Sequence, residues 1–131
     1  MTTTIALTDQ DKATMRTAAY GAVSLLAAAG APHKAVAQGT TALTSATGLT
    51  GHVLSAKSRD IRLPGKTVAE LADHVLPALT AAMALLADQP GEAANFRDTI
   101  LVAIEAATRS AKAPAPAVTA IAAKIAAALV V

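Results

Sequence analysis

The chain of 131 residues has no cysteine and no tryptophan, and its only aromatic side chains are Tyr20 and Phe96. Without cysteine there is neither a disulfide nor a thiolate metal site, and no thiol to serve as a nucleophile. With two aromatics there is no series of rings on which successive bases of a single-stranded nucleic acid could stack. Charge is scarce too: charged residues make up 15% of the chain and the formal net charge is only +2, too small to name a partner. A basic segment leading into an apolar run, the mark of a secretory signal, is missing from the opening residues MTTTIALTDQDKA.

Long hydrophobic runs are also wanting, although the mean hydropathy is +0.47. The two longest stretches free of Asp, Glu, Lys and Arg are 17–33 and 35–56. The first is mostly alanine, and the second is broken by glycines, hydroxyls, Gln38 and His52. Neither supplies the roughly 20 consecutive strongly apolar residues of a membrane span. The expectation is a soluble, cytoplasmic protein.

What the chain does have is alanine, which dominates a hydrophobic content of 53%. Alanine is the best helix former but buries a single methyl group. Stabilisation must therefore come from Leu, Ile, Val and Met at about 1.5–3 kcal/mol each. The result is an all-α expectation, with helices packed at short distance. Residues 1–131 read as one domain, an up-and-down bundle of four main helices plus a short C-terminal fifth. Residues 1–8 are expected to be a flexible start, 59–66 a basic connector, and 113–117 (APAPA) an extended Ala/Pro linker.

Start and stop signals divide the chain. Thr8 with Asp11 opens a first helix over Asp9–Ala29, and Gly30 closes it. Its face is Met15, Ala18, Ala22, Leu25, Leu26 and Ala29, with Tyr20 opposite beside Ala13, Arg16 and Ser24. Tyr20 is placed on the rim, its hydroxyl in water, as a candidate ligand or partner contact. A helix over 68–88 opens on the Thr67/Glu70 capping pair. Val68, Leu71, Val75, Leu79, Met83 and Leu86 form its stripe, and Pro77 is expected to kink it. A helix over 91–111 buries Phe96, Ile100, Ala103, Ile104 and Ala107; the last, from Pro116, buries Val118, Ile121, Ile125 and Leu129.

The unusual stretch is 32–66. On a helical wheel, a single second helix puts Val36, Gly39, Leu43, Ala46, Thr47 and Leu54 on one side. A neighbouring strip collects Ala37, Thr40, Thr44, Gly48, Gly51 and Ser55, all small. Internal glycines cost about 1 kcal/mol each against alanine, so this helix needs neighbours to persist. It is expected to be the central, most contacted element, bent near residues 48–51. Ala37, Thr44, Gly48, Gly51 and Ser55 are the candidate packing or interface positions. Packing within the chain is the first reading, self-association the second, and a ligand groove the third.

Motifs that would carry chemistry fail on spacing. Gly65-Lys66-Thr67 before a helix lacks the earlier glycine of a phosphate-binding loop, since that position is Asp60. Glu70 and His74 lie four apart on the outer side of their helix, with no core-facing carboxylates to complete a metal site. His33 and His52 fall on different faces. No serine or threonine carries a nucleophile signature. Neither catalysis, nor a cofactor, nor a metal is expected. The exposed chemical feature is the connector, where Lys57, Arg59, Arg62 and Lys66 oppose Asp60 for a local +3. These four cations are the candidate anion site.

The function expected is a non-catalytic helical scaffold or protein-interaction module that associates as a homodimer. Anion or nucleic-acid binding through residues 57–66 is the alternative, with nucleic acid the less favoured partner. A small-molecule sensor with its pocket near Tyr20 and the glycine-bearing part of the second helix comes third. No membrane partner is expected.

Overall fold

The computed structural model describes residues 7–55, 67–87, 90–109 and 116–129. These form six helices and no strand: α1 (Asp9–Ala29), α2 (His33–Thr44), α3 (Gly48–Ser55), α4 (Val68–Leu85), α5 (Pro90–Arg109) and α6 (Pro116–Ala128). The all-α bundle expected from composition is what the chain builds. The basic connector, the first part of the Ala/Pro linker and residues 1–6 lie outside the described residues.

Local chemistry sets the helix ends. Thr8 accepts a hydrogen bond from the Asp11 amide at 3.0 Å and its own amide donates to the Asp11 carboxylate at 3.1 Å, a complete capping box. Gly30 ends α1 at φ 120°, where any side chain would be strained. Its amide and that of Ala31 close on the carbonyls of Ala27 and Leu26. Thr67 caps α4 by accepting from the Glu70 amide at 3.1 Å and donating to the Glu70 carboxylate at 3.0 Å. From there α4 runs unbroken through Pro77, whose ring is on the exposed side.

The core is built by the stripes read from the sequence. Met15, Leu25, Leu26, Val75, Leu79, Phe96, Ile100, Ile125 and Leu129 are all buried. The last helix packs on α1, α4 and α5 of its own chain.

Two expectations about 32–66 are corrected. The segment is not one helix. α2 stops at Thr44, where Ser45 takes φ −89°, ψ 0° and both its amide and its hydroxyl donate to the Thr41 carbonyl, at 3.0 and 2.8 Å. A serine that satisfies the helix's last carbonyls in this way competes with continuation of the helix. Gly48 then restarts the chain at φ 68°. Nor is the segment central. α1 takes that role, packing on all five other helices and burying Met15, Arg16, Ala18, Ala19, Gly21, Ala22, Val23, Leu25 and Leu26. Its buried arc is lined with alanine and glycine, so neighbours can close from several sides at once.

α2 is seated through Gly39. A Cβ at that position would lie 3.1 Å from the Ala103 carbonyl oxygen of α5, and 3.4 Å from both the Ala107 Cβ and a Val23 methyl. Three helices therefore converge on a missing side chain. At Gly91, in the first turn of α5, nothing lies within 4 Å of the same construction.

α4 is long and apolar enough to cross a membrane by length and composition. Its stripe of Leu71, Val75, Leu79, Ala82 and Met83 is buried in the bundle, and Glu70, Asp73 and His74 line its exposed side. This is the pattern of an amphipathic helix packed on a bundle by one face.

Gly39→Val should cost about 1–3 kcal/mol in urea unfolding, because overpacking forces α2 away from a backbone carbonyl. Gly91→Ala should be neutral or stabilise by about 0.4–1 kcal/mol, since only the unfolded chain loses freedom. Equal effects at the two positions would contradict the close approach at Gly39.

Candidate functional site

The side chains with the most specific geometry gather around α3. This helix has only eight residues, with glycine at positions 48 and 51, and is too short to stand alone. Its neighbours hold both ends. At the C-terminal end, Arg16 Nε donates to the Val53 carbonyl at 2.9 Å and the Tyr20 hydroxyl donates to the Leu54 carbonyl. The last carbonyls of a helix have no partner within it, and here a guanidinium and a phenol from one face of α1 supply two. At the N-terminal end, the Asn95 side-chain amide of α5 donates to the Thr47 carbonyl at 2.9 Å. The Glu92 carboxylate lies beside Gly48, 3.6 Å from where a Cβ would be.

The expected position of Tyr20 is thereby corrected. The side of α1 that carries it is covered: Arg16 is 7% exposed, and Tyr20 is half-buried with its hydroxyl engaged inside the chain. Sequence reasoning missed Arg16 altogether. A lone arginine among alanines on a wheel looks like a solvated residue, and only the arrival of α3 over it shows otherwise. Burial raises the Tyr20 hydroxyl above the ordinary value of 10.0, against a smaller lowering by the Arg16 charge.

Two buried side-chain oxygens at this locus, Thr50 Oγ1 and Glu92 Oε2, have no hydrogen-bond partner among the described residues. Thr50 is wholly buried in the first turn of α3. An unpaired hydroxyl in such a place is a cost.

The candidate strip fares differently along its length. Ala37 and Thr44 are exposed, so the expectation that the strip packs inside the chain fails there. Gly51 is buried, but against its own chain: a Cβ there would meet the Ala46 carbonyl oxygen at 2.2 Å. Gly48 faces the start of α5. The side chain of Ser55, and Lys57, Arg59, Arg62 and Lys66 with the Gly65-Lys66 motif, lie outside the described residues. The structure does not bring Ala37, Thr44, Gly48 and Gly51 onto one surface, because the break at 45–47 re-aims the chain after it.

The outer face of α2 is built of small residues along its C-terminal half, with Lys34 and Gln38 exposed nearer its start. The hydroxyls of Thr40 and Thr41 donate to the carbonyls of Val36 and Ala37 at 3.1 and 3.0 Å, and that of Thr44 donates to the Thr41 carbonyl at 3.0 Å. Beside it, Ala42, Ser45 and Ala46 meet Asp98, Thr99 and Val102 of α5 across a shallow open groove of about 310 Å³. Val102 is the exposed large hydrophobic residue among those described, at 56%.

His33, His52 and His74 are exposed on separate elements, and no group of three or more His, Cys, Asp or Glu among the described residues could hold a metal. No family model, curated protein or solved structure matches the chain.

Two measurements test the α3 locus. Tyr20 is the sole tyrosine, so its absorbance titration reports one group, with a midpoint expected above 10.0. Its ionised form is disfavoured only in the folded state. The associated stability is therefore fully present below pH 10 and lost as pH rises through the raised value, a loss that Tyr20→Phe should abolish. Separately, Thr50→Val should leave stability unchanged or raise it by about 1 kcal/mol, by removing an unpaired buried hydroxyl at equal volume. A loss of 2 kcal/mol or more would mean that the hydroxyl is bonded.

Proposed function

We propose that the protein is a non-catalytic helical-bundle interaction module that self-associates as a homodimer through the outer face of α2 and the adjoining α5 surface. The observation that carries this reading is the character of that face. Ala37, Thr40, Thr41, Thr44 and Ser45 are exposed, none is charged, and the four hydroxyls already donate to backbone carbonyls. Burying such a face removes little hydration that has to be replaced, because its donors bring their acceptors with them. It also lacks bulk, so a second helix can lie close. Val102 at 56% exposure, at the edge of the groove, supplies the apolar anchor that the small residues do not.

A cytoplasmic location goes with this reading. It is supported by the apolar stripe of α4, which is spent on the bundle core rather than left for lipid.

The test is sedimentation or light scattering at tens of micromolar chain. A dimer is expected, and the pair Thr41→Lys with Val102→Asp should weaken it at least tenfold while leaving helix content intact. A monomer at that concentration, or a dimer indifferent to both charges, would overturn the proposal.

A further inference from the structure

We infer that residues 45–47 are a two-state hinge, and that straightening it converts the chain into an exchanged dimer in which α1–α2 of one copy pack on α3–α6 of a second. This goes beyond the face-to-face pairing proposed above and does not rest on it.

The first observation is that both glycines beyond the break are demanded by the bent form alone. Gly48 has φ 68°, a left-handed conformation that a side chain makes costly. Gly51 leaves no room for a Cβ, because the Ala46 carbonyl oxygen would be 2.2 Å from it. In a continuous helix residue 48 would have negative φ, and the carbonyl five residues before position 51 would sit within the helix ladder, clear of its Cβ. The straight form has no need of either glycine. The hydroxyl-rich run at 44–47 favours the bend, while the apolar wheel pattern, which runs through it from Val36 to Leu54, favours the straight form, so the two compete.

The second observation is how packing divides about the hinge. α1 packs chiefly on α4, and α2 chiefly on α5, so the dominant contacts all join the part before residue 45 to the part after 47. The clamps on α3 also cross: Arg16 and Tyr20 of α1 hold Val53 and Leu54. If the hinge straightens, each half keeps its own shape but loses its complement. A second copy, opened in the same way, supplies that complement with every contact reproduced, which is the condition for exchange.

Bend and exchange can be read directly because the native chain has no cysteine. Cβ positions at Gly39 and Ala107, on opposite sides of the hinge, are 3.4 Å apart, near the spacing that a disulfide spans. In a chain carrying Gly39→Cys and Ala107→Cys, the crowding at Gly39 bears equally on both forms, since each makes the same α2–α5 contact, and oxidation links one chain to itself in the bent form and two chains together in the exchanged form. Adding Gly48→Ala and Gly51→Ala should raise the interchain-linked fraction at least about tenfold per substitution. Chains of the wild-type hinge carrying only the two cysteines, refolded from urea at millimolar rather than micromolar concentration, should show the same shift without any change at the glycines. Intrachain links alone under both treatments would overturn the inference. A dimer whose links are all intrachain would overturn it equally, while leaving pairing through α2 intact.

Discussion

Short distance between helices is the constraint from which the rest of this structure follows. With two aromatic residues and an alanine-rich core, the bundle cannot be filled by bulk, so backbones have to approach. Gly39 shows how far this goes, with the Ala103 carbonyl 3.1 Å from the place its side chain would take. The same constraint puts α1 at the centre: Ala18, Ala19, Gly21 and Ala22 leave room for several neighbours, whereas a leucine-rich helix would hold them off. Phe96, Met15 and the leucines then fill what remains.

Close packing leaves α3 as the element least able to hold itself. It is one short helix carrying two glycines; Arg16 and Tyr20 meet its last carbonyls from outside, and Asn95 donates to the Thr47 carbonyl just before it. These three side chains tie α1, α3 and α5 together with hydrogen bonds rather than apolar area. The buried guanidinium is the costly member of the set, and its place in the fold makes sense because it meets helix-end carbonyls that would otherwise be unpaired. The locus is thus an anchor for the chain just after the 45–47 turn. The outer face of α2, by contrast, asks nothing of the bundle. Its threonines bond to their own helix, and beyond Lys34 what it presents to solvent is small and without charge. The turn thus joins an anchored helix on one side to an undemanding face on the other.

Much of this was legible before any coordinates. Alanine content, the stripe Leu71–Val75–Leu79–Met83, the buried set Phe96–Ile100–Ala103–Ile104–Ala107 and the Thr8 and Gly30 caps give helices, faces and ends, because each depends on neighbours within a turn or two. The candidate site was less legible. Ala37 and Thr44 were placed on a packing strip that the structure leaves to solvent, since a wheel assumes a straight helix and this one breaks. A signal for the break was present in the hydroxyl-rich run Thr44-Ser45-Ala46-Thr47 followed by Gly48, the order in which helices commonly stop.

The sequence by itself determined that the chain would be helical, where most helices would begin, and which residues would be hidden, since hydrophobic period and end chemistry are local. Only the tertiary structure decided that Arg16 would be buried, that Tyr20 would cap another helix, and that α1 rather than the glycine-bearing segment would lie at the centre. Those outcomes rest on carbonyls and side chains more than thirty residues apart. Distance of that kind leaves no mark in a helical wheel, which records what one helix offers and not what arrives to meet it.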